Sequence, residues 1–180
     1  MTGPSEIAAA GTPAGTPAGT PARPRLVPEP PDLPPDLPPG PPPGGDAVDV
    51  LARTLWGEAR GESVRGMEAV AAVVMNRVAA ARAGRVRWWG RTVAEVCRAP
   101  WQFSCWNEGD PNRPRLLTVT AADPAFAAAL RIARRAVAGT LGDPTGGATH
   151  YHRGGITPSW AAGRAPCAEI GRHLFYRDVG

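Results

Sequence analysis

The sequence predicts an α+β fold that is mostly helical, in a single domain with a small β element, preceded by a disordered Pro-rich tail. Four segments carry apolar residues at helical spacing, which predicts helices. After Gly147 the pattern changes to Thr, Tyr, Ile, Leu and Phe, which is typical of extended chain. The first 45 residues contain no aromatic residue and no cysteine. We therefore expect residues 1–45 to form the tail and residues 46–180 to form the folded domain.

The tail has the composition of an extended tether. Fifteen of the 22 prolines lie between Pro4 and Pro43, and most of these fall in the repeat "GTPAGTPAGTPA" or the tract "PPDLPPDLPPGPPPGG". Proline fixes φ and donates no backbone hydrogen bond, so we expect polyproline II or disorder here. The start "MTGPSEIAAAG" has no basic or apolar signal region, and no apolar run approaches the roughly 18 residues of a membrane span. We expect neither a secretory signal nor a transmembrane segment in this sequence.

The folded part divides into helices followed by strands. "DAVDVLARTLWGEARG" predicts a helix with Asp46 as its N-cap and Gly61 at its end. Three further helices are predicted by "SVRGMEAVAAVVMNRVAAARAG", "TVAEVCRA" and "ADPAFAAALRIARRAVAG". "WQFSCWNEGDPNRPR" is expected to be irregular, and "ATHYHRG" and "IGRHLFYRDV" to be strands.

The charge of the folded part favours an anionic polymer as partner. All 20 basic residues are arginine; two of them, and four of the 16 acids, lie in the tail. Residues 46–180 therefore hold 18 arginines and 12 acids, a net charge of about +6. The arginines are scattered and no nucleic-acid-reading motif accompanies them, so we expect no nucleic-acid partner.

Glu58 is the candidate catalytic residue. It continues the 3-4-3 stripe of Val48, Leu51 and Leu55, the helix face that should be buried. Burial favours the protonated carboxyl, and a carboxylic acid that keeps its proton can protonate a leaving oxygen. The alternatives are a solvated helix end, or an ion pair of Glu58 with Arg60 or Arg77.

Two further patterns suggest a binding cleft. In "WQFSCWN", aromatic rings alternate with amide and hydroxyl groups, as in a sugar site, although a buried aromatic loop would look the same. In "THYH", His150 and His152 share one face of a strand. They could bind zinc with Cys167 or His173, or act as donors in a polar cleft.

Four blocks in order resemble the SleB-type cell wall hydrolases: "ARTLWGEARGESVRGMEAVAAVVMNRV", "WQFSCWN", "GATHYHRGGITPSWA" and "IGRHLFYR". The resemblance spans roughly Val50 to Arg177. It implies a lysozyme-like fold, no cofactor, and peptidoglycan glycan strands as the partner of a domain that we expect to be monomeric. It also implies that Glu58, the first glutamate of "GEARGE", is the catalytic acid.

The implied reaction is cleavage of the β-1,4 bond between N-acetylmuramic acid (MurNAc) and N-acetylglucosamine (GlcNAc) by a lytic transglycosylase that needs one carboxylate. The rival functions are a zinc-dependent wall hydrolase and a non-catalytic wall-binding or particle-structural protein. Site and resemblance together give these candidate substrate-binding residues: Glu62, Gln102, Phe103, Ser104, Trp106, Tyr151, His152 and Trp160.

Overall fold

The first helix, α1 (Ala47–Ala59), is the centre of the core. The Asp46 side chain accepts a hydrogen bond from the Val48 N–H at 2.9 Å, which confirms the predicted N-cap. Leu51 and Leu55 are fully buried. The computed structural model describes residues 46–86 and 88–179; the predicted tail, residues 1–45, lies outside them.

Four more helices surround α1. They are α2 (Val64–Arg82), α3 (Val93–Arg98), α4 (Arg113–Thr118) and α5 (Pro124–Val137), and α1 packs most extensively against α5. Ser63 caps α2 as predicted, and Gly84 and Gly139 follow α2 and α5 with positive φ, which glycine adopts without strain. Within the described ranges, no helix is both long and apolar enough to cross a bilayer.

Helix α4 corrects the expectation that residues 101–115 are irregular throughout. The helix begins at Arg113, with Pro114 in its first turn, where the missing N–H costs nothing. Leu116 is fully buried against the core, and this burial outweighs the weak helical pattern of so short a segment. A short 3-10 turn, Ser104–Trp106, also forms inside the aromatic loop.

The small β element is a three-stranded antiparallel sheet. Its strands are β1 (His150–Arg153), β2 (Ala168–Ile170) and β3 (His173–Tyr176), in the order β1-β3-β2. The two predicted extended segments supply β1 and β3, whereas β2 comes mostly from residues for which no strand was predicted. Phe175 and Ile170 pack with Ala69 and Val73 of α2 in a second apolar cluster. Helix α2 therefore joins the sheet to the helical core, and the α+β class is confirmed.

Candidate active site

Glu58 lies in the last turn of α1, where the buried stripe of Leu51 and Leu55 reaches the surface. Glu58 is half-buried. Tyr151 Oη donates a hydrogen bond to Glu58 Oε2 at 3.2 Å, and the backbone N–H of Cys105 donates to Oε1 at 3.4 Å. Two elements distant in sequence, β1 and the aromatic loop, thus orient the carboxyl group.

Gly57 allows the aromatic loop, residues 101–107, to approach α1 closely. A Cβ at this position would lie 2.6 Å from Cβ of Cys105, closer than atoms tolerate. The loop can therefore bring its backbone N–H to Glu58 only because Gly57 has no side chain. Burial, and then the negative charge of Glu58, raise the pKa of the Cys105 thiol, so the sulfur stays protonated and is no nucleophile.

The predicted alternative partners of Glu58 are engaged elsewhere. Arg60 donates to the carbonyls of Trp56 and Gly57 and to Asn112. Among the described residues, no arginine forms an ion pair with Glu58. The carboxyl group is therefore left facing a cavity.

Two adjoining cavities form the cleft beside Glu58. The first has a volume of about 420 Å³ and contains Glu58 itself. The second is about 590 Å³ and is lined by indole rings. They share Arg77, Trp101, Gln102 and Tyr151. The first is completed by Glu58, Ser104, His152, Arg153 and His173, and the second by Trp88, Pro100, His150 and Trp160. Both volumes fall in the range of small-ligand sites.

Arg77 connects the walls of the cleft. Its Nε donates to the carbonyl of Thr149 at 2.7 Å, and its Nη1 donates to Oε1 of Gln102 at 2.6 Å. The guanidinium also lies over the rings of Trp89 and Phe103. Burial lowers the pKa of Arg77, but an arginine remains charged at physiological pH. The arginine therefore holds Gln102 at the cleft and links α2 to Thr149, the residue that precedes β1.

Two ionisable groups of β1 stay neutral at neutral pH. Burial and the nearby charge of Glu58 raise the pKa of Tyr151 well above its usual value, so its hydroxyl remains a hydrogen-bond donor. Burial, followed by the charges of Arg77 and Arg164, lowers the pKa of His150 to about 4. A neutral imidazole can both donate and accept, which suits the hydroxyl and amide groups of sugars.

The two histidines of β1 bond to neighbouring hydroxyl groups. His150 Nδ1 lies 3.0 Å from Oγ1 of Thr149, and His152 Nε2 lies 3.1 Å from Oη of Tyr176. The ring of Trp160 contacts both imidazoles, tilted against His150 and edge-on to His152. Across the residues described, no three His, Cys, Asp or Glu side chains come together as a metal ion would require. This geometry gives the zinc alternative no ligand set.

A family model described as Cell Wall Hydrolase matches residues 61–176, more than half of the chain. The chain belongs to the cell wall hydrolase family. The match begins three residues after Glu58, so the assignment of the acid depends on the geometry of the cleft.

The chain is also similar to curated proteins named spore cortex-lytic enzyme. The chain is 30% identical to the spore cortex-lytic enzyme of Bacillus cereus, over 71% of this chain and 43% of that enzyme. It is 31% identical to the spore cortex-lytic enzyme of Halalkalibacterium halodurans, over 71% of this chain and 34% of that enzyme. The chain thus spans less than half the length of these curated relatives.

Two solved structures share the fold. The first is the catalytic domain of the Bacillus cereus SleB protein, at 28% identity and a TM-score of 0.53, covering 73% of this chain and 89% of that one. The second is the catalytic domain of the germination-specific lytic transglycosylase SleB from Bacillus anthracis. It matches at 29% identity and a TM-score of 0.54, covering 78% of this chain and 100% of that one.

Glu62, a predicted substrate contact, is engaged in an ion pair outside the lining of both cavities. Arg172 Nε donates to Glu62 Oε1 at 2.6 Å, and the Arg172 N–H donates to Oε2 at 3.2 Å. Arg172 also donates to the carbonyl of Gly61 at 2.9 Å. Burial opposes ionisation of Glu62, but the hydrogen bonds and charge of Arg172 outweigh it and lower the pKa of Glu62. The pair joins the α1–α2 turn to the β2–β3 turn of this family member.

We expect Glu62→Gln to lower the free energy of unfolding by about 1–2 kcal/mol at pH 7, because the charge-assisted hydrogen bonds weaken. Since the folded state lowers the pKa of Glu62, the carboxylate stabilises the fold above the unfolded pKa near 4.3 and loses this effect as pH falls through the folded value. Urea unfolding at pH 7 and at about pH 3 measures this; an equal difference at both values contradicts the ion-pair role.

Two predicted sugar contacts of the aromatic loop lie against the core. Phe103 is buried and takes no part in lining either cavity. Trp106 is half-buried, its Nε1–H donates to Oγ1 of Thr54 at 2.9 Å, and Arg98 lies over its ring. Gln102, Ser104, Tyr151, His152 and Trp160 do line the cleft.

The cleft also contains residues that were not among the candidates. They are Trp88, Pro100, Trp101 and Arg153, with three residues that were considered only in other roles: Arg77 as an ion-pair partner of Glu58, His150 as a metal ligand or polar donor, and His173 as a metal ligand. Arg77 had a usable signal, because it follows Val70 and Val74 at helical spacing on the apolar face of α2. A charged residue on an apolar helix face is the same pattern that identified Glu58 as a candidate. The other residues reach the cleft through loop and strand geometry.

Proposed function

We propose that residues 46–180 form a catalytic domain that cleaves peptidoglycan glycan strands at the MurNAc–GlcNAc β-1,4 bond, as a lytic transglycosylase with Glu58 as its acid. Membership of the cell wall hydrolase family supports the substrate class. The name of the Bacillus anthracis relative, a lytic transglycosylase, supports the reaction type. The net positive charge and the indole-lined cavity suit an anionic glycan polymer.

One observation carries the proposal. Among the residues that line the two cavities, within the described part of the chain, Glu58 is the sole carboxylate. Ordinary glycoside hydrolysis uses two carboxyl groups that flank the scissile bond, about 5–10 Å apart. The other glutamate of the block, Glu62, is held by Arg172. A single acid favours the reaction in which the sugar supplies its own nucleophile.

The proposed reaction uses Glu58 twice. Its protonated carboxyl delivers a proton to the glycosidic oxygen, the bond from MurNAc C1 to that oxygen breaks, and GlcNAc leaves with a free 4-hydroxyl. The MurNAc 6-hydroxyl then attacks C1, and Glu58 takes the proton that this hydroxyl loses. A 1,6-anhydro ring forms, no water is consumed, and Glu58 ends protonated as it began.

The chain's own groups support these steps. The Tyr151 hydroxyl and the Cys105 N–H each bind a different oxygen of Glu58, which fixes the orientation of the carboxyl group. Arg77 and Gln102 form the wall next to it and can donate to a sugar. The cleft thus pairs one oriented acid with polar groups that position a ring.

We expect purified sacculi treated with the protein to release soluble muropeptides with 1,6-anhydro ends. Mass spectrometry decides the outcome, since an anhydro end and a reducing end differ by one water. If the products carry reducing ends instead, the reaction is hydrolysis and not transglycosylation. Activity lost in a strong chelator would favour the zinc alternative, and binding without release would favour a non-catalytic wall protein.

A further inference from the structure

Trp101 occupies a backbone position that normally requires glycine. The Gln102 N–H donates to the carbonyl of Ala99 at 3.1 Å, which closes a four-residue turn with Pro100 and Trp101 at its centre. Trp101 has φ of 67°. Proline excludes a positive φ at the first central position, so the turn is of type II, whose second central position strongly favours glycine. A large side chain therefore strains the turn.

The Trp101 ring does not offset this strain by packing against the protein core. The Trp101 side chain is 90% exposed, the highest value among the exposed large apolar residues described. None of the ring–ring contacts formed by the described residues involves Trp101. An exposed ring held in a strained backbone is a feature of functional sites rather than of folding.

The position of the ring indicates what it contacts. Trp101 lines both the Glu58 cavity and the indole-lined cavity, so it lies at their junction. Trp88, which is 64% exposed, and Trp160 belong to the second cavity as well. The next residue, Gln102, is held by Arg77, which anchors one end of the turn.

We propose that Trp101 stacks on the pyranose ring bound at this junction and thereby places the neighbouring glycosidic bond at Glu58. Indole faces are apolar and electron-rich, and they match the C–H face of an N-acetylhexosamine. The ring would be one sugar of the MurNAc–GlcNAc strand, so this inference rests on the proposed function. It adds a specificity-determining residue that the Pro100–Trp101 turn holds in place.

The test measures binding separately from cleavage. The Glu58→Gln variant, which binds without cleaving, serves as the parent protein. This parent and the double variants that add Trp101→Gly, Trp101→Ala or Trp101→Phe are each titrated with a tetrasaccharide of alternating GlcNAc and MurNAc. We expect the glycine and alanine changes to raise the dissociation constant of the tetrasaccharide by roughly 5–30-fold. This is a typical loss when an aromatic residue that anchors a ligand is truncated. Phenylalanine should retain affinity within a few fold. Val64→Ala, an exposed apolar residue on α2 that lines neither cavity, is the control.

Stability separates this role from a structural one. Both truncations remove the ring, but only glycine removes the turn strain, so we expect Trp101→Gly to melt roughly 2–6 °C above Trp101→Ala. Neither variant should melt more than a few degrees below the parent.

Undiminished tetrasaccharide binding in both truncations would overturn the inference, and so would a large loss of melting temperature in both. If Trp101 variants behave as the parent while Glu58→Gln abolishes muropeptide release, the stacking role fails and the proposed function stands. If Glu58→Gln binds no tetrasaccharide and the unsubstituted protein releases no muropeptides, the stacking role and the proposed function both fail.

Discussion

Glu58→Gln is expected to fold, to bind sacculi and to lose about 10²–10⁴-fold of the glycan-cleaving rate, the share typical of general acid catalysis. Glutamine keeps the shape of the side chain: its carbonyl oxygen can accept from one of the two donors, the Cys105 N–H, and its NH2 group can donate to the oxygen of the Tyr151 hydroxyl. It has no proton to deliver to the glycosidic oxygen. Muropeptide release from purified sacculi measures the loss, and circular dichroism confirms folding.

Glu62→Gln is the matched control, because it makes the same chemical change four residues further along the chain, in the α1–α2 turn. Glu62 contacts Arg172 and lines neither cavity, so its variant should lose stability rather than catalytic rate. An active Glu58→Gln together with an inactive Glu62→Gln would reverse the assignment of the acid. If both variants stay active, a mechanism with one acid is wrong.

Trp106→Ala is expected to lower the free energy of unfolding by about 3 kcal/mol, near the lower end for loss of a large aromatic side chain. The half-buried indole packs against the helical core and donates to the fully buried hydroxyl of Thr54 at 2.9 Å. The change leaves a gap and removes one hydrogen bond from the Thr54 hydroxyl, which still donates to the carbonyl of Val50 at 2.8 Å. Urea unfolding measures the loss, and Trp106→Phe, which keeps most of the ring, should recover part of it.

The same variant tests the sequence-based hypothesis that Trp106 binds sugar. Assayed where it remains folded, Trp106→Ala should release muropeptides within a few fold of the parent rate, since Trp106 lines neither cavity. A stable variant that has lost more than tenfold of its activity would restore Trp106 to the substrate site.

Local patterns predicted the helices and their ends well. Asp46 and Ser63 cap α1 and α2 because their side chains bond backbone groups two or three residues away. The stripe of Leu51, Leu55 and Glu58 likewise depends only on helical spacing. Helix α4 and strand β2 escaped prediction because each is short, and what stabilises a short element is burial against distant residues.

The sequence alone determined the class of fold, the family resemblance and one candidate acid. Tertiary structure alone decided what each glutamate contacts: the Tyr151 hydroxyl reaches Glu58 across 93 residues, and Arg172 reaches Glu62 across 110. It also separated the aromatic loop into Trp106, which faces the core, and Trp101, which faces the cleft. Helical spacing and capping are set by neighbours a few residues away, so they can be predicted from the sequence. A cleft is set by contacts between distant segments, which exist only after the core has packed and brought β1 to the end of α1.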